Sequence, residues 1–348
     1  MADVVVPVVG FRNTEDIRDC LRALARMDAT PTFDVYIAEN GGAAAADALV
    51  AALDAGDSAW EASDAVPPVS PEHGAWRKSF RLAGRPSGAG FVHVAESAEN
   101  FGYAGGVNVW LRPLMKSEGW TAAWILNPDT EPKPDALAAL AAASAARAKG
   151  MVGSLIVQDD DPSVVAMRGI GYAKWIGRSV AVGRDEEAAV EPDAAAVEAS
   201  LIAPSGASVY VTRALMERIG LMYDPYFLYG EDLEWGVRAK KLGQLGYAHA
   251  SVVVHKHGTT IGSSADRAAR SPLAVHLAAR NSILFAWRNY PAFVLPALAM
   301  QVVQAARYLL AGSPANFRYA IEGIVAGCRG VTGRPDPMPG APAKAAAR

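Results

Sequence analysis

Three stretches of this chain place residue types of proton transfer and metal ligation just beyond apolar runs. Tyr226-Phe-Leu-Tyr-Gly-Glu231-Asp232-Leu-Glu234-Trp235 sets adjacent carboxylates behind an aromatic run and a glycine, where a helix is expected from Leu233 to Leu242. Asn127-Pro128-Asp129-Thr130 follows the strand-like run from Thr121 to Leu126, and the run ending at Val254 leads to His255-Lys256-His257-Gly258. Acids in a first helical turn are favoured by the helix dipole, so a capped surface helix would explain Glu231 and Asp232 taken alone. Two carboxylate sites and a histidine, each closing an apolar run, point instead to a single cleft at one end of a sheet.

A fourth stretch, Glu99-Asn100-Phe101-Gly102-Tyr103-Ala104-Gly105-Gly106-Val107-Asn108, is glycine-rich and runs into a helix expected to reach Met115. Glycines let a backbone approach a phosphate, and a helix N-terminus adds N–H groups and a favourable dipole. The stretch lacks the Lys-Ser/Thr of a P-loop and the GxGxxG spacing of a dinucleotide site. Asp159-Asp160-Asp161 reads as a solvated turn.

The elements that would position these residues alternate in kind. Val4 to Val9 reads as a buried strand, Thr14 to Met27 as an amphipathic helix with Ile17, Leu21 and Leu24 on one face, and Phe33 to Ala38 as a second strand. An alanine-rich helix is expected from Ala43 to Leu53. Such a β-α-β-α beginning predicts a mostly parallel sheet, with ligands at the carboxyl ends of its strands. Residues 55–90, with Pro67, Pro68, Pro71 and Pro86, read as a long loop or insertion. Further strands are expected at Phe91 to Ala95, Trp120 to Leu126, Met151 to Val157 and Val209 to Thr212, with helices at Asp135 to Lys149 and Arg213 to Ile219. Residues 158–200 show no clear period.

At 348 residues the chain can bury a large core. Hydrophobic residues at 51% and charged residues at 20% describe a globular protein, and a net charge of -3 gives no reason to expect a nucleic-acid partner. Cys20 and Cys328 lack CxxC spacing, which argues against a cysteine zinc cluster and fits a reducing cytoplasm. No basic segment precedes an apolar run at the N-terminus, so a signal peptide is not expected. Leu273 to Trp287 reads as a helix containing Arg280 and Asn281. Phe293 to Leu310 is strongly apolar but carries Gln301, Gln304 and Arg307. With Arg280, Arg288, Arg307, Arg318, Arg329 and Arg334 nearby, it reads as an amphipathic helix lying on an anionic membrane surface, or as a core or dimer-packing helix. The tail from Arg334 is proline- and alanine-rich and is expected to be disordered.

In their joint order these motifs resemble the family 2 inverting glycosyltransferases with the GT-A fold, most of all their bacterial rhamnosyltransferase-like branch. The similar stretches are Val4 to Leu24, Ile37 to Gly41, Glu99 to Asn108, Trp124 to Thr130, Gly206 to Trp235 and His255 to Gly262. Leu277 to Arg288 also resembles that branch. The resemblance implies a Rossmann-like, mostly parallel sheet flanked by helices over residues 1–265, a helical C-terminal extension over 266–333, and a tail over 334–348. Pro7, Phe11, Arg12, Glu39 and Asn40 would then hold the nucleobase and ribose, although the family usually has Tyr-Asn where Phe11-Arg12 stand and Asp where Glu39 stands. Asn100, Gly102, Gly105, Gly106 and Asn108 would lie beside the nucleotide and phosphates. Asn127-Pro-Asp129 occupies the place of the family's Asp-x-Asp, with Asn for the first acid. Asp129 and His255 would hold a divalent cation, Mg²⁺ or Mn²⁺, and Glu231-Asp232 matches the pair whose Asp is the catalytic base.

The implied reaction moves a sugar, rhamnose from dTDP-rhamnose being the first expectation, from a dTDP- or UDP-sugar to a hydroxyl of a cell-surface glycan or lipid-linked acceptor. One base takes the acceptor proton, and the nucleoside diphosphate leaves with its charge neutralised rather than protonated. A glycoside hydrolase would instead need a paired acid and base around the sugar. The alternatives are a sugar-1-phosphate nucleotidyltransferase, whose glycine-rich basic signature Gly10-Phe-Arg-Asn lacks, and a non-catalytic sugar-nucleotide-binding subunit of a polysaccharide assembly complex. A Rossmann oxidoreductase is more distant. The expected place is the cytoplasm, peripherally at the inner face of the membrane.

Overall fold

The computed structural model describes residues 2–256 and 267–340. Its elements run β1 (Val4–Gly10), α1 (Thr14–Ala25), β2 (Phe33–Glu39), α2 (Ala43–Asp54), β3 (Trp60–Ser63), β4 (Gly74–Leu82), β5 (Phe91–Ser97), α3 (Gly102–Leu114), β6 (Ala122–Leu126) and β7 (Thr130–Pro132). They continue with α4 (Ala136–Arg147), β8 (Met151–Gln158), β9 (Val165–Met167), β10 (Ile170–Ala173), β11 (Arg178–Ala181), α5 (Ala194–Ser200), β12 (Ser208–Thr212) and α6 (Arg213–Ile219). The last are α7 (Glu231–Lys241), β13 (Leu245–His255), α8 (Pro272–Asn289), α9 (Val294–Leu310) and α10 (Pro314–Cys328).

The described chain forms two compact units. The first comprises residues 2–171, 180–223 and 232–256, and the second Tyr172–Ser179, Asp224–Glu231 and 267–340. The second unit therefore recruits two short segments from far upstream of the C-terminal helices.

The first unit is built on an 11-stranded sheet in the order β3-β4-β5-β2-β1-β6-β12-β8-β13-β7, with β9 on β8. Strands β5, β2, β1 and β6 are mutually parallel, while β12 is antiparallel to both β6 and β8. Seven strands (β1, β2, β3, β5, β6, β8 and β13) share one direction, so the parallel sheet expected from the sequence is present with antiparallel strands inserted. The alternation of β1 explains the layering. Val4, Val6 and Val8 join Ile17, Leu21 and Leu24 of α1 and Leu137 and Leu140 of α4. Val5 and Val9 face the other way, into a layer with Trp110 of α3, Leu215 of α6 and Trp235 of α7.

Residues 55–90 are not a loop. They contain β3 and β4, an antiparallel pair that adds the sheet's edge onto β5. The prolines fall in the connections, and a register shift between Trp76 and Lys78 breaks the alternation that would have marked β4 as a strand. Residues 158–200 likewise hold three short strands and α5, each too brief for a period to show. The expected disordered tail is placed through 340: Gly333 donates its N–H to the carbonyl of Pro225, and a Cβ at Gly340 would come within 2.7 Å of the Pro272 ring. Residues 341–348 lie outside the described residues.

Four central strands are tied by a buried hydroxyl chain. Trp124 Nε1 on β6 donates to Ser208 Oγ on β12 at 2.9 Å; Ser208 and Ser154 on β8 are 2.7 Å apart, and Ser154 and Ser251 on β13 are 2.8 Å apart. All three serines are fully buried. An unsatisfied polar group here would cost about 1–3 kcal/mol, so the chain specifies how β6, β12, β8 and β13 line up.

In the second unit, Val275, Ala279 and Ile283 of α8 pack with Ala305 and Tyr308 of α9 and with Ala320 and Ile324 of α10. Glycine sets the spacing of α8 and α10: a Cβ at Gly323 would lie 2.2 Å from the His276 carbonyl oxygen.

Removing the central hydroxyl of the serine chain gives the first test. Ser154→Ala should lower the urea midpoint by an amount equivalent to roughly 1–3 kcal/mol, because it strands polar groups on both neighbouring strands. An unchanged midpoint would mean that the hydroxyls are not coupled.

Candidate active site

Asp232 sits in the first turn of α7, whose last turn carries Arg238, Lys240 and Lys241, so charges at both ends suit the helix dipole. With Asp232 as its only charged member, a pocket is lined by Ile125, Met151, Pro204, Gly206, Val209, Met222 and Trp235. The residue keeps some exposure, but its carboxyl is enclosed by these groups. Burial pushes its pKa above the usual carboxylate value, while N–H groups of Leu233 (2.8 Å), Gly206 and Asp232 itself pull the other way. Gly206 is constrained by this contact, since a Cβ there would lie 3.2 Å from Asp232 Oδ2. Tyr103 of α3 donates its hydroxyl proton to the Gly206 carbonyl at 3.0 Å, anchoring the residue whose N–H faces the carboxylate.

The segment leading to Asp232 belongs to the second unit and is held under backbone strain. Phe227, Tyr229 and Gly230 have φ of 67°, 69° and 99°, and the first two are bulky residues in a region that L side chains rarely adopt. Glu231 is buried and opens α7.

Asp129 and His255 are brought together by the β7–β13 ladder, in which His255 pairs with Thr130. His255 Nε2 lies 3.2 Å from Asp129 Oδ1, and the side chains are 15% and 13% exposed. The Lys256 N–H donates to the Asp129 carbonyl, and Lys256 Nζ pairs with Asp19 and Glu131 at 2.8 and 2.6 Å, so the cation is turned away from Asp129. One carboxylate oxygen and one imidazole nitrogen converging at a partly open point fit a divalent cation that takes its other ligands from phosphate and water. Among the described residues no third His, Cys, Asp or Glu joins them. His257 lies outside the described residues.

The other residues singled out in the sequence divide into those facing outward and those used internally. Phe11 is 38% exposed beyond the end of β1, with the Arg12 guanidinium carbon 5.5 Å from its ring centroid. Pro7, by contrast, is buried at the middle of β1, three residues short of that end. Its effect is on the sheet: pairing of β1 with β6 is registered at Val4 and Val5 only, and Pro7 has no N–H to extend it. Glu39 also works inward. Its Oε1 accepts the N–H groups of Arg12 (3.0 Å) and Gly41 (2.7 Å), and burial raises its pKa despite them. Asn40 Nδ2 donates to the Gly102 carbonyl at 2.7 Å, Asn100 Oδ1 accepts the Gly102 N–H at 2.9 Å, and Asn108 Nδ2 donates to the Met222 carbonyl at 2.9 Å. In the glycine-rich stretch, Gly105 and Gly106 are buried within α3, and a Cβ at Gly106 would lie 2.6 Å from Val9. These glycines let α3 approach the sheet. Asn127 closes the turn after β6, its carbonyl accepting the Thr130 hydroxyl at 2.6 Å. Its side-chain oxygen is buried and has no partner among the described residues.

Comparison with protein-family models and with curated protein sequences gives no match. Comparison of folds gives glycosyltransferases. The S. aureus TarS 1-349 structure in complex with UDP-GlcNAc aligns with a TM-score of 0.50 at 10% identity, over 97% of this chain and 82% of that one. GalNAc-T7 with UDP, GalNAc and Mn2+ aligns with a TM-score of 0.50 at 12% identity, over 95% of this chain and 58% of that one. The chain has the GT-A glycosyltransferase fold.

Several residues of this site had weak sequence signals. Tyr103, Gly206 and Met222 act through backbone or hydroxyl groups, or as one apolar wall, and only the glycine ahead of β12 hinted at a close approach.

The environment of Asp232 carries a stability prediction with a definite sign. A carboxyl whose folded pKa is raised destabilises the fold when ionised; the penalty grows as pH rises from the unfolded value, about 3.9, through the folded one. Asp232→Asn should therefore be more stable than the parent at neutral pH, with the difference vanishing in acid. Urea unfolding across pH would show it, and a variant less stable at pH 7 would contradict the desolvated placement.

Proposed function

We propose that this chain is an inverting glycosyltransferase that moves a sugar from a nucleoside-diphosphate donor to an acceptor hydroxyl, with Asp232 as the general base. The observation that carries the reading is the lone carboxylate in an apolar pocket at a helix N-terminus, its pKa raised toward the pH at which a base works best. The acceptor oxygen attacks the anomeric carbon, its proton passes to Asp232, and the bond to the diphosphate breaks with the electron pair leaving on the nucleotide. Phe11 and Arg12 are exposed where a nucleobase can stack or pair, and Asn40, Asn100 and Asn108 shape the loop and helix beside it. A divalent cation, Mg²⁺ or Mn²⁺, would be held by Asp129 and His255 and would neutralise charge on the departing diphosphate. The fold neighbours' complexes with UDP-GlcNAc and with UDP and Mn2+ support a nucleotide-sugar donor and a cation. Membership of family 2 and rhamnose from dTDP-rhamnose rest on the sequence resemblance.

Against a panel of dTDP- and UDP-sugars, Asp232→Asn should lose roughly 10²- to 10⁴-fold in kcat while donor affinity stays within a few-fold. Asp129→Ala and His255→Ala should each weaken metal-dependent binding of the nucleotide in calorimetry. Near-normal turnover by Asp232→Asn would remove it as the base, and full activity in excess EDTA would remove the cation. Consumption of a nucleoside triphosphate would favour the nucleotidyltransferase alternative, and absence of any turnover with intact donor binding would favour a binding subunit.

A second reading concerns the acceptor side. Pro291–Leu310 is 20 residues long with a mean hydropathy of 1.4, and only 17% of its most apolar window is buried. Leu295, Val302, Val303, Leu309 and Leu310 are exposed, and Arg288, Arg307, Arg318 and Arg329 are exposed as well. Arg280 does not belong to this basic fringe, being fully buried. We propose that this surface binds the inner leaflet of the cytoplasmic membrane peripherally and presents a lipid-linked glycan acceptor. Each basic residue near an anionic leaflet contributes about 1 kcal/mol, so binding should be salt-sensitive. The purified protein should float with anionic liposomes at low salt and less so at high salt. Failure to float at either salt, with a homodimer in solution, would assign the helix to subunit packing.

A further inference from the structure

We propose that Arg178, Arg267 and Arg307 form a binding site for the terminal phosphate or diphosphate of a lipid whose chain lies along the exposed apolar stripe of α9. The proposal rests on the reading of this helical unit as a lipid-facing surface, and all of its residues belong to the second unit. The turn at 267–270 is tied to the two helices beside it. Asn316 Nδ2, near the start of α10, donates to the carbonyls of Arg267 (3.1 Å) and Arg270 (3.2 Å), and Arg267 Nη2 donates to Gln304 Oε1 on α9 at 2.9 Å. The Arg267 guanidinium carbon stands 5.6 Å from the centroid of the Tyr308 ring. Arg267 is thereby fixed between Gln304 and Tyr308, and Arg307 lies one turn of α9 beyond Gln304.

Arg178 comes from the segment Tyr172–Ser179. Gly177 has a φ of 59°, and a Cβ there would come within 2.3 Å of Ala297 Cα, so this segment presses against α9 two turns before Gln304. The charges act on one another. Burial first, and then the charges of Arg307, Arg270 and Arg178, push the Arg267 pKa below its usual value, while Tyr308 acts the other way. Among the described residues Arg178, Arg267 and Arg307 form no ion pair with a carboxylate, whereas Arg318 on α10 pairs with Glu322 at 2.8 Å. Like charges gathered in this way repel, and a multiply charged anion turns that repulsion into attraction.

The chemistry of the anion follows from the number of donors. Guanidinium groups bind phosphate oxygens with paired N–H donors. A phosphodiester has two free oxygens and one charge, too few to engage three guanidiniums, whereas a terminal phosphate has three oxygens and a charge of about -1.5 to -2. The surroundings point to a lipid as its bearer. Val303 and Leu310, four residues before and three after Arg307, are exposed on the same side of α9. Trp175 is 74% exposed with its ring edge-on to Phe293 at 4.8 Å, and Lys174 Nζ lies 5.3 Å from that same phenyl ring. An exposed tryptophan beside a lysine suits the headgroup level of a membrane.

The test is co-flotation with phosphatidylcholine vesicles carrying phosphatidic acid, whose head is a terminal phosphate, against vesicles brought to the same surface charge with phosphatidylglycerol, a diester. The parent should bind the phosphatidic acid vesicles at least about tenfold more tightly, the scale of added charge-assisted hydrogen bonds. Arg178→Gln/Arg307→Gln alters two exposed side chains that form no ion pair among the described residues, so the fold should stand, and the preference should be lost. Arg318→Gln/Arg329→Gln removes the same charge from exposed positions at α10 and its end and should keep the preference. If the parent binds both vesicles alike, or the two double variants weaken phosphatidic acid binding equally, the site is overturned while peripheral membrane binding stands. If the parent floats with neither vesicle, the membrane reading falls and takes the site with it. Inorganic pyrophosphate, titrated calorimetrically in EDTA, completes the test: binding that needs Arg178 and Arg307, without a vesicle preference, would assign the cluster to a soluble anion and overturn the lipid assignment.

Discussion

Placing an ionisable carboxyl among apolar side chains is the costly interaction around which the first unit is arranged. Desolvation alone would leave Asp232 protonated and unable to accept a proton. The counterweight is made from backbone: N–H groups of Leu233 and Gly206 and the positive end of α7. These donors carry no protons that titrate near neutrality, so they stabilise the carboxylate without competing as acids. The same logic explains Gly206, where a side chain would press on the carboxyl, and Tyr103, which anchors the carbonyl of that residue. Burial remains the larger effect and keeps the carboxyl's pKa above its usual value, a condition suited to taking a proton.

The sheet supports the other half of the site by a different means. Asp129 immediately precedes β7 and His255 ends β13, far apart in sequence, and their approach depends on the β7–β13 register, which a one-residue slip would destroy. The serine chain across β6, β12, β8 and β13 penalises such slips, because each hydroxyl finds its partner in only one alignment. Pro7 contributes by omission: it ends the β1–β6 ladder early, before the loops at Phe11 and at Asn127 begin.

The central strands were legible because Val4 to Val9, Phe33 to Ala38 and Met151 to Val157 are continuous apolar runs, and Asp129 and Asp232 stood out as candidates because each follows such a run. The edge strands β3 and β4 were not, since β4 mixes Arg77, Lys78 and Arg81 with Trp76 and Phe80 and its bulge breaks the period. Glycine was the least readable residue. Gly105 and Gly106 suggested a phosphate turn, but a glycine that admits a ligand and one that admits a neighbouring strand look alike until the neighbour is placed. Glu39 and Asn108 were read by residue type as ligand contacts; in the fold Glu39 Oε1 accepts from Arg12 and Gly41 and Asn108 Nδ2 donates to Met222, while Asn108 Oδ1 is buried without a partner among the described residues.

The two halves of the site thus differ in what makes them rigid. The Asp129–His255 pair inherits its geometry from a β-ladder, where displacement of either residue would break several backbone hydrogen bonds at once. Asp232 follows a loop whose backbone is strained and which is kept in place by two side chains of α8. Strain of this kind persists only where surrounding contacts over-determine it, and Arg280 and Asn281 supply that excess with hydrogen bonds to the carbonyls of Tyr226, Leu228 and Tyr229. A ladder tolerates substitution of its side chains because its order lies in the main chain, whereas order that rests on one amide side chain is lost with it. Order held in the main chain and order held by side chains are therefore separable by mutation in this fold.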